Sequence, residues 1–144
     1  MAVIPYISFK NSTKEALDFY VKALDGENVI VTTYGDMPSD PQYPLSDEDK
    51  KLVANAMFNT VGGSIMISDM PDSMMDGFIE GNNISIALIY NDKELIKKHF
   101  ANMSEGGIIY MPLDKAPWTE LFGTLEDKFG ISWQFSYNTE EYYK

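Results

Sequence analysis

Cysteine is absent from the sequence, which excludes disulfide bonds and thiolate metal sites. The absence is also typical of a reducing compartment, so we expect a cytoplasmic protein. Long hydrophobic runs are missing as well, and no stretch approaches the roughly 20 apolar residues of a membrane-spanning helix. Residues 1–11 lack the basic and apolar segments of a signal peptide and predict a first strand instead. We therefore expect no membrane partner.

Arginine is also absent, and the positive charges are 11 lysines against 22 Asp and Glu residues. The formal net charge of −11 repels phosphate backbones and anionic lipid surfaces. Arginine is the usual reader of guanine edges, so its absence further argues against a nucleic-acid partner. Solubility is the simplest role for the acidic surface.

Histidine occurs once, as His99, so the chain contains no Ser-His-Asp or Cys-His set. A serine without a histidine base is a poor nucleophile, and the sequence identifies no catalytic residue. His99 lies on a predicted helix and has no partner histidine. A role in helix packing or on the surface is therefore expected rather than metal ligation.

The length of 144 residues, with 44% hydrophobic and 23% charged residues, predicts one globular domain spanning residues 1–144. In its first half, Ser12 and Glu15 at capping-box spacing begin a helix that Asp25-Gly26 ends. Apolar and β-branched runs predict strands in this half at residues 3–9, 29–34, 52–60 and 64–68. The acidic, proline-containing segment 35–51 and the methionine-rich segment 69–83 are predicted loops.

The second half repeats this pattern. Asn91 and Glu94 stand at capping spacing before a helix that Gly106-Gly107 ends. Strands are predicted at residues 84–90, 108–111, 124–126 and 131–137, with a loop at 112–117 and a short helical turn at 118–122.

The two halves align as an internal duplication. Glu15 and Tyr20 are followed 79 residues later by Glu94 and His99. Because neither half can bury its apolar face alone, the duplication predicts an α+β fold of two βαβββ modules, at about 1–70 and 82–144. We expect the modules to form a cupped mixed sheet with helices on the outer face.

Several segments in this order resemble a known family. The residues that carry the resemblance are 5–9, 15–20, 67–69, 104–107, 111–113, and above all Trp118 with Phe122-Gly123 and 127–133. They resemble the PhnB-like (demethylubiquinone methyltransferase-like) branch of the vicinal oxygen chelate superfamily, which also contains glyoxalases, bleomycin-resistance proteins and dioxygenases. The resemblance implies the vicinal oxygen chelate fold and a homodimer.

The resemblance also implies where a metal would be bound. Metal-using relatives place ligands on the first and last strand of each module, which here correspond to Tyr6, Met66 or Ile67, Ser85 and Gln134. The second-hairpin histidine of such relatives is replaced by Asn55. Hydroxyl, thioether and amide groups are weak ligands for divalent ions. We therefore expect no metal and no other cofactor.

The predicted function is the binding of a small organic ligand in the cup between the half-sheets, since such pockets are mostly apolar with a few polar anchors. The ligand-binding candidates are Tyr6, Ser8, Asn55, Ser85, Trp118 and Gln134. Phe58, Trp133 and Phe135 could also line an aromatic pocket, although core packing is the simpler role for each. Asp69, Asp72 and Asp76 lack EF-hand spacing and are expected in a solvated loop.

Three functional hypotheses remain. The first is metal-independent binding of an apolar or carbonyl-bearing molecule, in which Tyr6 or Gln134 would polarise an oxygen if a reaction followed. The second is a metal-dependent isomerase, lyase or dioxygenase of the same superfamily. The third is a dimeric scaffold without a ligand. The absence of a placed base or metal ligand favours the first.

Overall fold

A computed structural model describes residues 1–139 and divides the chain into two compact units, the first being Met1–Ile79 and the second beginning at Glu80. Each unit contains one four-stranded mixed sheet and one long helix, in the order strand, helix and three strands. The predicted α+β class and the two βαβββ modules are confirmed. Across residues 1–139, every helix is too short or too polar to cross a membrane.

The first unit has the strand order β1-β4-β3-β2, in which β1 and β4 are parallel and the other neighbours antiparallel. Its elements are β1 (Tyr6–Phe9), α1 (Thr13–Ala23), β2 (Glu27–Thr33), α2 (Asp47–Lys50), β3 (Val53–Thr60) and β4 (Gly63–Asp69). The predicted β3–β4 hairpin is confirmed. The segment 35–51 is not wholly a loop, because the Ser46 hydroxyl accepts a hydrogen bond from the Asp49 backbone and starts α2.

The second unit has the matching strand order β5-β8-β7-β6. Its elements are β5 (Ser85–Tyr90), α3 (Lys93–Ser104), β6 (Ile108–Ala116), β7 (Thr119–Glu126) and β8 (Ser132–Tyr137). The predicted loop at 112–117 and helical turn at 118–122 are wrong, since β6 and β7 form a long hairpin there. Pro112 is tolerated in β6 because this is an edge strand, and its pairing with β7 is irregular between Met111 and Asp114.

Each long helix covers one face of its own sheet. In the first unit, Tyr20 of α1 stacks on Phe58 of β3 with ring centroids 6.2 Å apart, and both side chains are fully buried. In the second unit, Phe100 of α3 meets the ring of Phe135 edge-on at 5.3 Å. Gly123 lies beneath this helix, where a Cβ atom would come within 2.8 Å of Phe100 Cε2. Glycine is therefore required for the close approach of α3 to β7.

His99 lies inside the core of the second unit. Its side chain is fully buried, and Nδ1 lies 2.9 Å from the Tyr90 hydroxyl. This placement confirms the expected packing role. The corresponding residue of the first unit, Tyr20, is buried in the same way.

The predicted local caps of both long helices are wrong. Ser12 makes no side-chain capping bond, and the Thr13 amide at the start of α1 donates instead to the Asp69 carboxylate at 3.0 Å. In α3 the cap is Asp92 rather than Asn91, because its carboxylate accepts from the backbone amides of Glu94 and Leu95. In each helix an aspartate side chain, rather than the residue at capping-box spacing, accepts hydrogen bonds from the first backbone amides.

Candidate functional site

Each sheet has a second face, opposite its long helix, which we call the open face. Side chains alternate along a strand, so the partners of buried core residues identify it. In β8, Trp133 and Phe135 are fully buried, whereas Ser132 and Gln134 point the other way and are half-buried. The prediction that Trp133 and Gln134 lie on opposite faces is thereby confirmed.

The open face of the first unit brings together Tyr6 and Asn55. The Asn55 amide lies 3.5 Å from the Tyr6 hydroxyl, to which it donates across the sheet. The Tyr6 side chain is 53% exposed. Ser8 lies one row further along β1, where it pairs with Ser68 of β4. Three predicted site residues of this unit thus share one face.

Tyr34 adds a second phenol near Tyr6 and was not among the predicted site residues. It follows β2, and its hydroxyl donates to the backbone oxygen of Asp69 at 2.9 Å. Burial raises the pKa of Tyr34 above its ordinary value, and the neighbouring Tyr6 and Asp69 raise it further. Tyr34 therefore remains a neutral hydrogen-bonding group at physiological pH.

The open face of the second unit joins Ser85 and Gln134. The Gln134 amide donates to the Ser85 hydroxyl at 2.7 Å. Two residues that sequence reasoning missed lie on the same sheet: the Tyr110 hydroxyl of β6 donates to the Glu126 carboxylate of β7 at 3.1 Å. This hydrogen bond raises the pKa of Tyr110. The alternation of β7 could have identified Glu126 from the sequence, since it places this residue on the face opposite buried Leu125.

Trp118 lies in the turn between β6 and β7 and is 66% exposed. Its ring meets Phe122 edge-on, with centroids 5.2 Å apart. Phe122 pairs with Ser136 on the open face of the second unit. Trp118 is thus connected to that face through Phe122.

The other aromatic candidates are core residues. Phe58, Trp133 and Phe135 are fully buried on the faces that the helices cover. The Trp133 indole nitrogen donates to the buried Asp127 carboxylate at 2.8 Å. An aromatic pocket that includes these three side chains is therefore excluded.

Asp69 is not part of a solvated loop, contrary to expectation. Its side chain is only 3% exposed. Its two carboxylate oxygens accept hydrogen bonds from the Thr13 amide at 3.0 Å and the Val53 amide at 2.9 Å. Asp69 thus ties the start of α1 and the start of β3 to the end of β4, and its role is structural.

The inherited metal positions do not form a good donor set. Ile67 is fully buried on the covered face, so Met66 is the residue that pairs with Tyr6 on the open face. The register also makes Ser68, rather than Met66, the first-unit counterpart of Gln134. Within residues 1–139, no three His, Cys, Asp or Glu side chains are grouped as metal ligands would be. The residues present do not fit a divalent ion, which disfavours a metal-dependent enzyme.

We expect protein purified without a tag to contain far less than one zinc, nickel or iron ion per chain. Phenol, thioether, hydroxyl and amide groups cannot replace the carboxylates and imidazoles that these ions require. Elemental analysis by mass spectrometry after dialysis measures the stoichiometry. A ratio near one metal per chain would contradict this expectation.

Comparison with known proteins assigns the chain to a family. The model of the 3-demethylubiquinone-9 3-methyltransferase family matches residues 1–136. The protein YjdN of Escherichia coli is 27% identical over 142 residues, covering 94% of this chain and 95% of YjdN. A PhnB protein from Bacillus cereus is 26% identical, with a TM-score of 0.72 over 96% of this chain and all of its own.

A more distant structure supports the fold. A member of the glyoxalase/bleomycin resistance protein/dioxygenase superfamily from Sphaerobacter thermophilus is 21% identical, with a TM-score of 0.58 over 96% of this chain and 98% of that one. The duplicated βαβββ architecture and the family match agree. The chain belongs to the 3-demethylubiquinone-9 3-methyltransferase family, and its fold is like that of the glyoxalase/bleomycin resistance protein/dioxygenase superfamily.

Proposed function

We propose that this protein binds a small organic molecule on the open faces of its sheets without using a metal ion. The observation that carries the proposal is that each open face presents a hydrogen-bonded pair of neutral polar side chains. These pairs are Asn55 with Tyr6 and Gln134 with Ser85. Apolar side chains flank them, including Met57 and Met66 beside Tyr6 in the first unit. Apolar surface with a few oriented polar groups is typical of ligand sites.

The direction of the hydrogen bond between Gln134 and Ser85 favours a ligand with a carbonyl oxygen. Because the Gln134 amide donates to the Ser85 oxygen, the Ser85 hydroxyl hydrogen is directed elsewhere and can donate to a ligand. The carbonyl oxygen of Gln134 can accept a hydrogen bond from the same molecule. A neutral pair of this kind orients a ligand but supplies no general base.

Methyl transfer, which the family's description names, has less support than binding. The glycine pairs at 62–63 and 106–107 lie at a hairpin turn and just after a helix, not in a nucleotide loop between a strand and a helix. Each sheet has one parallel pair of strands, whereas a nucleotide-binding α/β sheet is largely parallel. Binding without methyl transfer is therefore the function we propose.

The test is native mass spectrometry of the protein after incubation with a pool of small metabolites. We expect a bound mass to be retained by the wild type and lost or reduced about tenfold in Gln134→Ala, since a lost ligand hydrogen bond costs about 1–1.5 kcal/mol. Gln42→Ala is the matched control, because Gln42 is the other glutamine of the chain and lies in an exposed loop. Equal retention by both variants would contradict the site, and no retained mass in the wild type would contradict the function.

We also propose that the protein is a cytoplasmic homodimer. The apolar surface that supports a dimer includes the edge strand β2 and Met74 of the loop at 70–78, which is 45% exposed. Val29, Ile30 and Val31 of β2 are each more than two-fifths exposed. Exposed apolar edge strands favour pairing with another chain.

We expect the dimer to become tighter as the salt concentration rises. Two chains with a net charge of −11 repel each other. This repulsion is screened beyond about 8 Å at physiological ionic strength, whereas apolar burial is not weakened by salt. Sedimentation velocity at tens of micromolar protein, in low and in physiological salt, measures the association. A monomer in both conditions would contradict the proposal.

A further inference from the structure

The open faces of the two units carry equivalent rows of side chains with different chemistry. Each row begins on the first strand of its unit, at Tyr6 and at Ser85, 79 residues apart, and crosses all four strands in the same order. In the first unit the row is Tyr6, Met66, Met57 and Ile30. In the second unit it is Ser85, Ser132, Glu126 and Ile108. The two units thus share the same register, but Ser132 and Glu126 stand in the second unit where Met66 and Met57 stand in the first.

Glu126 is held in its row by Tyr110. The phenol donates to Oε2 at 3.1 Å, which occupies one of the roughly four acceptor positions of a carboxylate. None of the ion pairs within the described part of the chain includes Glu126. Glu126 is half-buried, and its hydrogen bond with Tyr110 is exposed. An oriented carboxylate without a neighbouring cation is an acceptor for a positively charged ligand group.

The surroundings of Glu126 define the rest of the ligand. Ser132 and Ser85 continue the row with hydroxyl groups. On the other side, Ile108 and Met111 of β6 are 53% and 48% exposed and offer apolar surface. The net charge of −11 raises the local concentration of cations. The site therefore combines a carboxylate, two hydroxyls and an apolar strand.

We infer that Glu126 is a specificity-determining residue, and that the open face of the second unit selects small molecules in which an ammonium group is joined to an apolar or aromatic part. The ammonium group binds the Glu126 carboxylate, and the apolar part packs on Ile108 and Met111. This inference rests on the proposed small-molecule binding and adds the charge of the ligand.

The experiment compares three probes that differ in charge: phenethylammonium, 2-phenylethanol and 3-phenylpropionate. Each is titrated at constant ionic strength into the full-length, ¹⁵N-labelled protein, and amide shifts give both the affinity and the location. We expect phenethylammonium to bind about tenfold more tightly than the other two, with the largest shifts in β6, β7 and β8. Glu126→Gln should reduce its affinity to that of 2-phenylethanol.

Two further variants test whether the preference depends on net charge and whether it depends on the orientation of the Glu126 carboxylate. Glu105→Gln removes the same charge from an exposed position after α3 and should leave the preference within about twofold. Tyr110→Phe keeps the Glu126 carboxylate but removes the phenol that orients it, so it should weaken phenethylammonium binding by less than Glu126→Gln does. Loss of the preference in Glu105→Gln would assign it to net charge and overturn the inference.

The remaining outcomes are equally distinct. Equal affinity for all three probes, or a preference that survives in Glu126→Gln, would overturn the role of Glu126 while leaving small-molecule binding intact. Largest shifts outside β6, β7 and β8, or no shifts with any probe, would also overturn it. The proposed function itself is judged by the metabolite experiment, whose readout does not depend on these probes.

Discussion

Asp69→Ala is expected to lower the free energy of unfolding by about 3–5 kcal/mol, because it leaves two buried backbone donors without acceptors. The Thr13 and Val53 amides both donate to this carboxylate, and the side chain is 3% exposed. The Thr13 amide has no acceptor within α1, since it begins that helix. The loss is a large share of the 5–15 kcal/mol that typically stabilises a domain.

Urea denaturation followed by far-ultraviolet circular dichroism measures this loss. Asp72→Ala is the matched control, because Asp72 lies three residues further along in an exposed position and should change stability by less than about 0.5 kcal/mol. Asp69→Asn should fall between the two, since an amide keeps one acceptor oxygen but turns an N–H group toward the other donor. Equal stability of Asp69→Ala and Asp72→Ala would mean that the start of α1 does not depend on Asp69.

The prediction failed at Asp69 for a physical reason. Ser12 and Glu15 have the spacing of a local capping box, and nothing local identifies an acceptor 56 residues away. The carboxylate reaches Thr13 only because β4 lies beside β1 in the sheet, with Asp69 opposite Phe9. Local patterns predicted that a helix begins here, whereas the residue that caps it depends on strand pairing.

The alternation of apolar residues and the internal duplication were sufficient to predict most strands and both long helices from the sequence. Strands with clear apolar runs, such as β4 and β8, were predicted to within two residues of their ends. Residues 112–122 of the β6–β7 hairpin were wrongly predicted as a loop and a helical turn, because β6 lies at an edge, contains Pro112 and pairs irregularly. An exposed edge strand shows neither a buried run nor regular alternation, so its sequence resembles a loop.

Site residues on regularly paired strands could be predicted from the sequence. Those that depend on the irregular pairing of the edge strand β6 could not. The family resemblance gave Tyr6, Ser85 and Gln134 as site positions, the offset of 79 between Tyr6 and Ser85 agrees with the duplication, and regular strand pairing places all three on open faces. Tyr110 was missed because its contact with Glu126 depends on the irregular pairing between Ile109 and Met111. One extra residue in an edge strand redirects the side chains that follow, and no periodic pattern reports it.

Trp133→Ala is expected to destabilise the protein by about 3–5 kcal/mol, as truncation of a fully buried tryptophan typically does. The indole is completely buried beneath α3, and its nitrogen donates to the Asp127 carboxylate at 2.8 Å. Truncation therefore leaves a cavity and also removes a hydrogen bond from the buried Asp127 side chain. Trp133→Phe keeps much of the ring and should show the smaller cost of the lost hydrogen bond, about 1–3 kcal/mol.

Gln134→Ala is the matched control for Trp133, because the two residues are adjacent on β8 but face opposite sides of the sheet. Its hydrogen bond with Ser85 is partly exposed, so its removal should change stability by less than about 1 kcal/mol while weakening ligand binding. Chemical denaturation gives the stability of both variants, and native mass spectrometry gives the retained ligand. Equal destabilisation by the two variants would contradict the assignment of core and open faces. Ligand loss in Trp133→Ala alone, under conditions where that variant remains folded, would place the ligand on the helix side of the sheet, since only that face would then have changed.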